Sequence, residues 1–212
     1  MQFGHFLTIL SELDGRRLPG IESHQKMIPK ERNIPSMDKI KRSNPKKAGV
    51  MALFYPGDQA ETHFLLTLRA SYSGTHSSQI SFPGGKIEKS DKDLAHTALR
   101  ETCEETGVDP KAITIKKALS EMFIPPSNFL VQPYLGFTHI QPQFKPNHEV
   151  EKIIQVRLSD LLNDDAVGIK NLTTSYMKKI DVPCFYFDQN VVWGATAMML
   201  SEIKDLIKLS FH

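Results

Sequence analysis

The sequence predicts an α/β fold in which a mixed β-sheet is covered by helices on both faces. Short apolar runs typical of strands recur along most of the chain, and two helical patterns separate them. Strands that alternate with well-separated helices favour a sheet packed between helical layers. The length of 212 residues suits one domain with an appendage rather than two full domains.

The first 47 residues differ from the rest of the chain. A short amphipathic helix is predicted over residues 3–13, because apolar residues recur there at helical spacing: Phe6, Leu7, Leu10 and Leu13. Residues 16–47 contain four prolines and a basic run, so we expect an extended segment with a solvated surface. The sequence therefore predicts an N-terminal helix and extended segment, residues 1–47, packed on a domain of residues 48–212.

The domain is predicted to contain six strands and two main helices. The strands are expected at residues 48–55, 63–69, 113–119, 129–137, 153–158 and 183–187. The helices are expected at residues 91–106 and 193–209, and Ser159 is expected to cap a further short helical turn.

Composition and charge exclude several classes of protein. With 26 Lys and Arg against 24 Asp and Glu, the net charge of +2 does not favour nucleic acid or a membrane surface as partner. The two cysteines, Cys103 and Cys184, have neither metal-ligand spacing nor a disulfide pattern, which favours a reducing compartment. The longest uncharged apolar run, residues 191–200, is half the ~20 residues that a membrane span needs. We therefore expect a cytoplasmic protein without export signal or anchor.

A glycine turn followed by a helix is the most informative stretch. Gly84 and Gly85 follow a proline, and adjacent glycines let the backbone approach a ligand that any β-carbon would keep away. Asp91 or Ser90 is expected to cap the start of the helix, and Gly107 is expected to end it in the left-handed conformation.

The acidic residues of this helix lie where they destabilise it. Glu101, Glu104 and Glu105 occupy the last two turns, where the helix dipole is negative. Glu101 and Glu105 are neighbours of like charge four residues apart, and Arg100 offsets part of the repulsion by pairing with Glu104. A divalent cation would supply the missing positive charge, and carboxylate oxygens favour Mg²⁺ or Mn²⁺ over zinc. The alternative is an acidic helix end that is merely solvated.

This stretch resembles the Nudix box, G-x5-E-x7-R-E-U-x-E-E-x-G-U. The residues that match are Arg100, Glu101, Glu104, Glu105, Gly107 and Val108. The chain has Asp91 at the first acidic position, eight residues instead of seven before the arginine, and Thr102 where an aliphatic residue is usual. The longer spacing and the aspartate are similar to the coenzyme A pyrophosphatase branch of the Nudix hydrolases.

Two further stretches resemble the same branch. Residues 65–70 read L-L-T-L-R-A and residues 82–85 read F-P-G-G, as in the pattern upstream of that branch's Nudix box. Gly74 and Ser78 depart from the pattern, in which an arginine and a glycine are usual. Similarities at residues 132–134, 146–150 and 193–197 extend the resemblance over about residues 48–200.

The resemblance implies a Nudix-type α/β/α sandwich and metal-dependent hydrolysis of a diphosphate. For coenzyme A, cleavage would give 3′,5′-ADP and 4′-phosphopantetheine. It implies Glu101 and Glu105 as metal ligands on one helical face, Glu104 as a further ligand and Arg100 as the residue that orients the carboxylates. It also implies a carbonyl ligand from the turn, at Gly85.

Three charged residues outside the helix complete the predicted site. Glu149 is expected to act as a ligand or as the base, with a solvated loop carboxylate as the equal alternative. Arg69 and Lys86 flank the glycine turn, where Gly84 and Gly85 would also contact substrate, and are candidates for holding phosphates. A surface ion pair is the alternative for Arg69.

Two other functions remain open at this stage. One is a Nudix hydrolase for ADP-ribose or a nucleotide sugar, which the departures at Gly74 and Ser78 allow. The other is a non-catalytic Nudix module that binds a nucleotide, against which the intact set of three glutamates argues. We expect a small-molecule diphosphate as partner, with no nucleic acid and no membrane, and leave a homodimer open. Trp193 is expected to be a core anchor rather than a platform for base stacking.

Overall fold

The computed structural model describes residues 1–29, 35–70, 79–174 and 177–211. The α-helices are α1 Phe3–Glu12, α2 Ile21–Gln25, α3 Met37–Arg42, α4 Leu94–Thr106, α5 Leu158–Leu162 and α6 Gly194–Lys208. The strands are β1 Lys46–Pro56, β2 Thr62–Arg69, β3 Ile80–Ser81, β4 Gly84–Lys86, β5 Thr114–Ala118, β6 Met122–Ile124, β7 Phe129–Phe137, β8 Val150–Arg157, β9 Val167–Thr174, β10 Met177–Phe187 and β11 Asn190–Trp193. Gly74 and Ser78 lie outside the described residues.

The larger sheet of the described chain is mixed, as the sequence predicts. Its strands follow the order β3-β2-β1-β7-β5, with β4 paired to β1, β6 to β7 and β8 to β2. The long strand β1 is parallel to β7 and antiparallel to β2. A smaller antiparallel sheet has the order β11-β10-β9.

Alternate side chains of β1 enter two separate cores, one on each face of the sheet. Ala52 and Phe54 pack with α1 and α6, and the rings of Phe6 and Phe54 lie 4.8 Å apart between centroids. Met51 and Leu53 face the other side, where they pack with Ala98 of α4. Helices therefore cover both faces, and the predicted α/β sandwich is confirmed.

The N-terminal segment contains more helix than the sequence analysis predicted. Helix α1 forms where the apolar spacing indicates it. The prediction of an extended segment over residues 16–47 is wrong in part, because α2 and α3 form within it and β1 begins at Lys46. Helix α2 is stabilised by tertiary contacts, since Ser23 and His24 are buried against α6. The division into residues 1–47 and 48–212 stays a prediction.

Two predicted helix caps are wrong, and each has a local reason. Asp93 caps α4 by accepting a hydrogen bond from the His96 backbone N–H at 2.8 Å, while the Asp91 carboxylate bonds to Arg100 instead. Ser159 lies inside α5, whose N-cap residue is Arg157 without a side-chain cap. The predicted left-handed end at Gly107 is confirmed, with φ of 75°.

Candidate active site

Helix α4 lies close to the sheet because a glycine of β1 leaves room for it. A β-carbon at Gly49 would lie 3.2 Å from the Leu94 carbonyl carbon and would overlap its oxygen. Strand β4 carries the glycine turn and pairs with β1 so that Gly85 is opposite Gly49. The turn therefore lies beside α4, against the helical face that carries Glu101 and Glu105.

The two glycines of the turn leave no room for a side chain without a local change. Gly84 has φ of +154°, and a β-carbon there would lie 2.6 Å from the Val50 Cα. A β-carbon at Gly85 would overlap the carboxylate of Glu101. A larger residue at position 85 would therefore displace the Glu101 carboxylate from its place beside the turn.

Glu105 is a buried carboxylate at the centre of the site, with its side chain 3% exposed. It accepts hydrogen bonds from the Gly84 backbone N–H at 3.3 Å and from Arg69 Nη1 at 3.2 Å. Burial raises the pKa of Glu105 to about 7, although the positive charge of Arg69 opposes the shift. Glu105 is therefore a carboxylate whose negative charge its surroundings compensate incompletely.

Arg100 connects the acidic helix to the loop before it. Its Nε and Nη2 each donate to a different oxygen of Asp91 at 3.0 Å, and Nη2 also donates to the Lys86 carbonyl at 3.2 Å. Nη1 donates to Glu101 Oε1 at 3.0 Å and to Glu104 Oε2 at 3.1 Å. The predicted pairing of Arg100 with Glu104 is confirmed, and the guanidinium also orients Glu101.

Asp91 was predicted as a helix cap, but its main partner in the structure is Arg100. Its side chain is fully buried and also accepts hydrogen bonds from Thr97 Oγ1 and the Glu88 backbone N–H at 2.9 Å each. The hydrogen bonds from Arg100 hold the pKa of Asp91 well below its usual range. Asp91 therefore anchors Arg100 and contacts side chains of the first turn of α4, but it does not cap the backbone of the helix.

Arg69, the last residue of β2, forms ion pairs with Glu105 of α4 and with Glu149, which directly precedes β8. Its Nη2 lies 3.6 Å from Glu149 Oε2, and the Ala70 backbone N–H donates to the Glu149 carbonyl at 2.8 Å. Glu149 has half of its side chain exposed, and Glu104 is similarly exposed. The alternative of a surface ion pair for Arg69 is therefore only partly met, because one of its two carboxylate partners, Glu105, is buried and the other, Glu149, is half exposed. Lys86 has an exposed side chain.

The donor set fits a hard divalent cation by its chemistry. The side-chain donors are carboxylate oxygens of Glu101, Glu104, Glu105 and Glu149, and burial raises the pKa of Glu101 as well. Within the described ranges, no group of three or more His, Cys, Asp and Glu side chains is arranged to hold a metal ion directly. Arg69 forms an ion pair with Glu105, and Arg100 forms ion pairs with Glu101 and Glu104. Metal binding by these residues stays a prediction.

A cavity of about 330 Å³ opens from the glycine turn. Arg69, Lys86 and both glycines line one part of it, and mainly apolar side chains line the rest. Trp193 was expected to be a core anchor, but it is only partly buried and lines this cavity. Most of these wall residues were not predicted from the sequence, because they come from distant segments that share no motif.

Comparison with known proteins places this geometry in a family. The model of the NUDIX domain matches residues 45–174, which include the glycine turn, α4 and Glu149. The chain therefore belongs to the Nudix family.

Several curated relatives carry the same family name. The chain is 34% identical over 170 residues to Nudix hydrolase 22, chloroplastic, of Arabidopsis thaliana, which aligns 75% of this chain with 54% of that protein. It is 33% identical over 138 residues to a mitochondrial coenzyme A diphosphatase of Homo sapiens, with 64% of this chain and 58% of that protein covered. The chain thus spans little more than half the length of these relatives.

A solved structure supports the fold. The crystal structure of a MutT/nudix family protein from Enterococcus faecalis matches 84% of this chain and 66% of that one, with a TM-score of 0.54 at 16% identity. None of the helices in the described part of the chain is long and apolar enough to cross a membrane. The names of the two curated relatives refer to the chloroplast and the mitochondrion, and a cytoplasmic location for this chain stays a prediction.

Proposed function

We propose that the protein hydrolyses the diphosphate linkage of a nucleoside diphosphate derivative with the help of Mg²⁺ or Mn²⁺. The observation that carries the proposal is the contact of two glutamates of α4 with the glycine turn of a Nudix domain, Glu105 through the Gly84 N–H and Glu101 beside Gly85. Incompletely compensated carboxylates next to an open cavity favour a site that binds cations together with an anionic substrate.

Each residue of the site has a proposed task. Glu101, Glu105 and Glu104 would hold the cation together with the carbonyl of Gly85. A cation of this kind neutralises charge on diphosphate oxygens and makes water more acidic. Arg100 orients Glu101 and Glu104 through hydrogen bonds at 3.0 and 3.1 Å.

Glu149 is proposed to accept the proton of the attacking water. It lies across from α4, is half exposed and is held at 3.6 Å by Arg69. Lys86 is proposed to contact the phosphates, because its side chain is exposed beside the cavity. Arg69 is proposed to do the same while it keeps Glu105 and Glu149 in place.

Coenzyme A or one of its derivatives is the proposed substrate, with 3′,5′-ADP and 4′-phosphopantetheine as products. The name of the human relative, a coenzyme A diphosphatase, supports this choice. The Arabidopsis relative is at least as similar, and its name states no substrate. ADP-ribose and nucleotide sugars are therefore the comparison substrates of the test.

The test is incubation of the purified protein with coenzyme A, ADP-ribose, UDP-glucose and dinucleoside polyphosphates in Mg²⁺ or Mn²⁺, with product masses measured. We expect turnover that stops on chelation, with coenzyme A the best substrate. A coenzyme A rate below the others would overturn the substrate assignment. Nucleotide binding without turnover of any compound would favour the non-catalytic module instead.

A further inference from the structure

Glu149, the proposed base, lies at the end of a loop without helix or strand. The loop spans residues 138–149 between β7 and β8. The Glu149 carboxylate is half exposed, and Arg69 Nη2 lies 3.6 Å from it. An exposed ion pair of this kind contributes little, and Arg69 is shared with Glu105. The position of Glu149 therefore depends mainly on how its backbone is held.

The backbone of Glu149 is held from both sides. Its N–H donates to Asn147 Oδ1 at 2.9 Å, and its carbonyl accepts from the Ala70 N–H at 2.8 Å. The Asn147 carbonyl also accepts from the Val150 N–H at 3.2 Å, so the side chain and the backbone of Asn147 close two overlapping turns. The carboxamide of Asn147 thus fixes the last turn of the loop before β8 begins.

The middle of the loop is attached to the domain without Asn147. The Lys145 N–H donates to the Thr106 carbonyl at 2.8 Å, at the end of α4. The ring of Phe144 packs against the ring of Tyr55 in β1, with 5.4 Å between centroids. Removal of the Asn147 side chain should therefore loosen the residues next to Glu149 and leave the rest of the loop in place.

We infer that Asn147 is a positioning residue, whose carboxamide holds the backbone of Glu149 and thereby places the carboxylate that accepts the proton. The inference rests on the proposed function, because that function makes Glu149 the base. Glu149 and Glu105 contact the same guanidinium, at 3.6 and 3.2 Å. Without the turn, the Glu149 carboxylate would shift relative to Glu105, and a displacement of about 1 Å can lower a rate about 10²-fold.

The first test compares Asn147→Ala with Asn147→Asp in the hydrolysis of coenzyme A. Alanine removes the acceptor, so kcat should fall about tenfold, while KM stays within about twofold of the wild-type value. Aspartate keeps an oxygen that can accept the same hydrogen bond, so Asn147→Asp should retain most of kcat. A wild-type kcat for the alanine variant would overturn the inference, as would a loss of kcat that aspartate does not restore.

Asn163→Ala is the matched control for the turn itself. Asn163 is exposed in the loop after α5, where its Oδ1 accepts from the Asp165 N–H at 3.1 Å. Asn163→Ala thus removes the same kind of hydrogen bond and should leave kcat and KM unchanged. An equal loss of kcat in this control would indicate a general effect on the fold and would count against a role for Asn147 in positioning.

A double variant shows whether Asn147 acts through Glu149. When Asn147→Ala is combined with Glu149→Gln, kcat should equal that of Glu149→Gln alone, because the group to be positioned is already inactive. A further fall by the full factor of the Asn147→Ala variant would show that Asn147 acts elsewhere and would overturn the inference.

Exchange of amide protons with water, measured by NMR, separates the inference from the proposed function. Asn147→Ala should speed exchange of the Glu149 amide proton about tenfold, whereas Asn147→Asp should not, and the Asp165 amide should be unaffected. Unchanged exchange at Glu149 would overturn the inference even if coenzyme A is hydrolysed. Hydrolysis of no compound, or full kcat in Glu149→Gln, would instead overturn the proposed function or the task of Glu149 in it. The exchange rates then still decide whether Asn147 holds Glu149.

Discussion

Two buried glutamates, Glu105 in α4 and Glu202 in α6, have opposite electrostatic surroundings. They are 2% and 0% exposed. Glu202 hydrogen-bonds to His24 Nε2 at 3.0 Å and accepts from Ser120 Oγ at 2.6 Å and from the Ser120 backbone N–H. Burial alone would raise the pKa of Glu202, but these hydrogen bonds outweigh it and lower the pKa. Burial of Glu105, in contrast, raises its pKa to about 7.

Burial does not by itself distinguish a functional carboxylate from a structural one. Glu202 joins α6 to α2 through His24 and to the loop at Ser120, so its charge is used inside the fold. Glu105 lies against the glycine turn, where Arg69 and one backbone N–H compensate part of its charge. A buried carboxylate left with excess negative charge beside a cavity lowers stability and is suited to bind a cation.

The largest expected effect comes from Glu105→Gln. Turnover should fall by about 10²–10⁴-fold, because a proposed cation ligand loses its charge. The folded pKa of about 7 lies above the usual value of 4.5, so ionised Glu105 destabilises the folded protein, increasingly as the pH rises between these values. Without divalent cations the variant should therefore unfold at the same temperature as wild type or at a higher one.

Calorimetric unfolding and kinetics on the same preparation check this prediction. Glu101→Gln, on the same helical face, should also lower turnover by orders of magnitude, about 10²-fold or more. Near-wild-type turnover of either variant, with normal unfolding, would contradict the site assignment.

Gly85→Ala tests the position of Glu101, which shares a helical face with Glu105. The added β-carbon would overlap the Glu101 carboxylate and displace it from the turn, so turnover should fall by roughly 10–100-fold. Gly4→Ala is the matched control, because a β-carbon at this position of α1 meets no atom within 4 Å. Full activity of Gly85→Ala would show that the position of Glu101 beside the turn is not needed.

Glu202→Gln should lower the stability of the folded protein rather than its activity. Loss of the charge weakens the hydrogen bonds to His24 and Ser120 and should lower the free energy of unfolding by about 2 kcal/mol, or Tm by roughly 4–8 °C. The activity of the folded protein should not change. Glu22→Gln is the control, since Glu22 is exposed on α2 beside the buried His24. Unfolding at the wild-type temperature would contradict a structural role for Glu202.

The sequence predicted the elements that local patterns define. Helix α4 is capped by Gly107 and carries its three glutamates where the motif indicates. Strands β1 and β7 were predicted because each contains a continuous apolar run. Five strands were missed: β3, β4, β6 and β11 because they are short, and β9 because it is largely polar.

The parts of the site that sequence could not predict depend on contacts between distant residues. Asp91 looked like a helix cap, but in the fold its two oxygens meet the guanidinium of Arg100 nine residues away. The cavity combines Pro29, Phe123 and Trp193, whose proximity depends on the packing of α2 and α6. Charge crowding in one helix is visible in a sequence, whereas the shape of a cavity is not.

The smallest expected effect is the pH dependence of Glu202. Because its pKa is lowered in the folded protein, its contribution to stability is complete above the unfolded value of about 4.5 and is lost as the pH falls through the folded value. The difference in unfolding free energy between wild type and Glu202→Gln should therefore shrink below pH 4.5, by at most about 1.4 kcal/mol per pH unit. Urea denaturation across this range measures it, with Glu22→Gln expected to follow wild type. A difference that stays constant with pH would mean that Glu202 stabilises α6 by packing rather than by its charge.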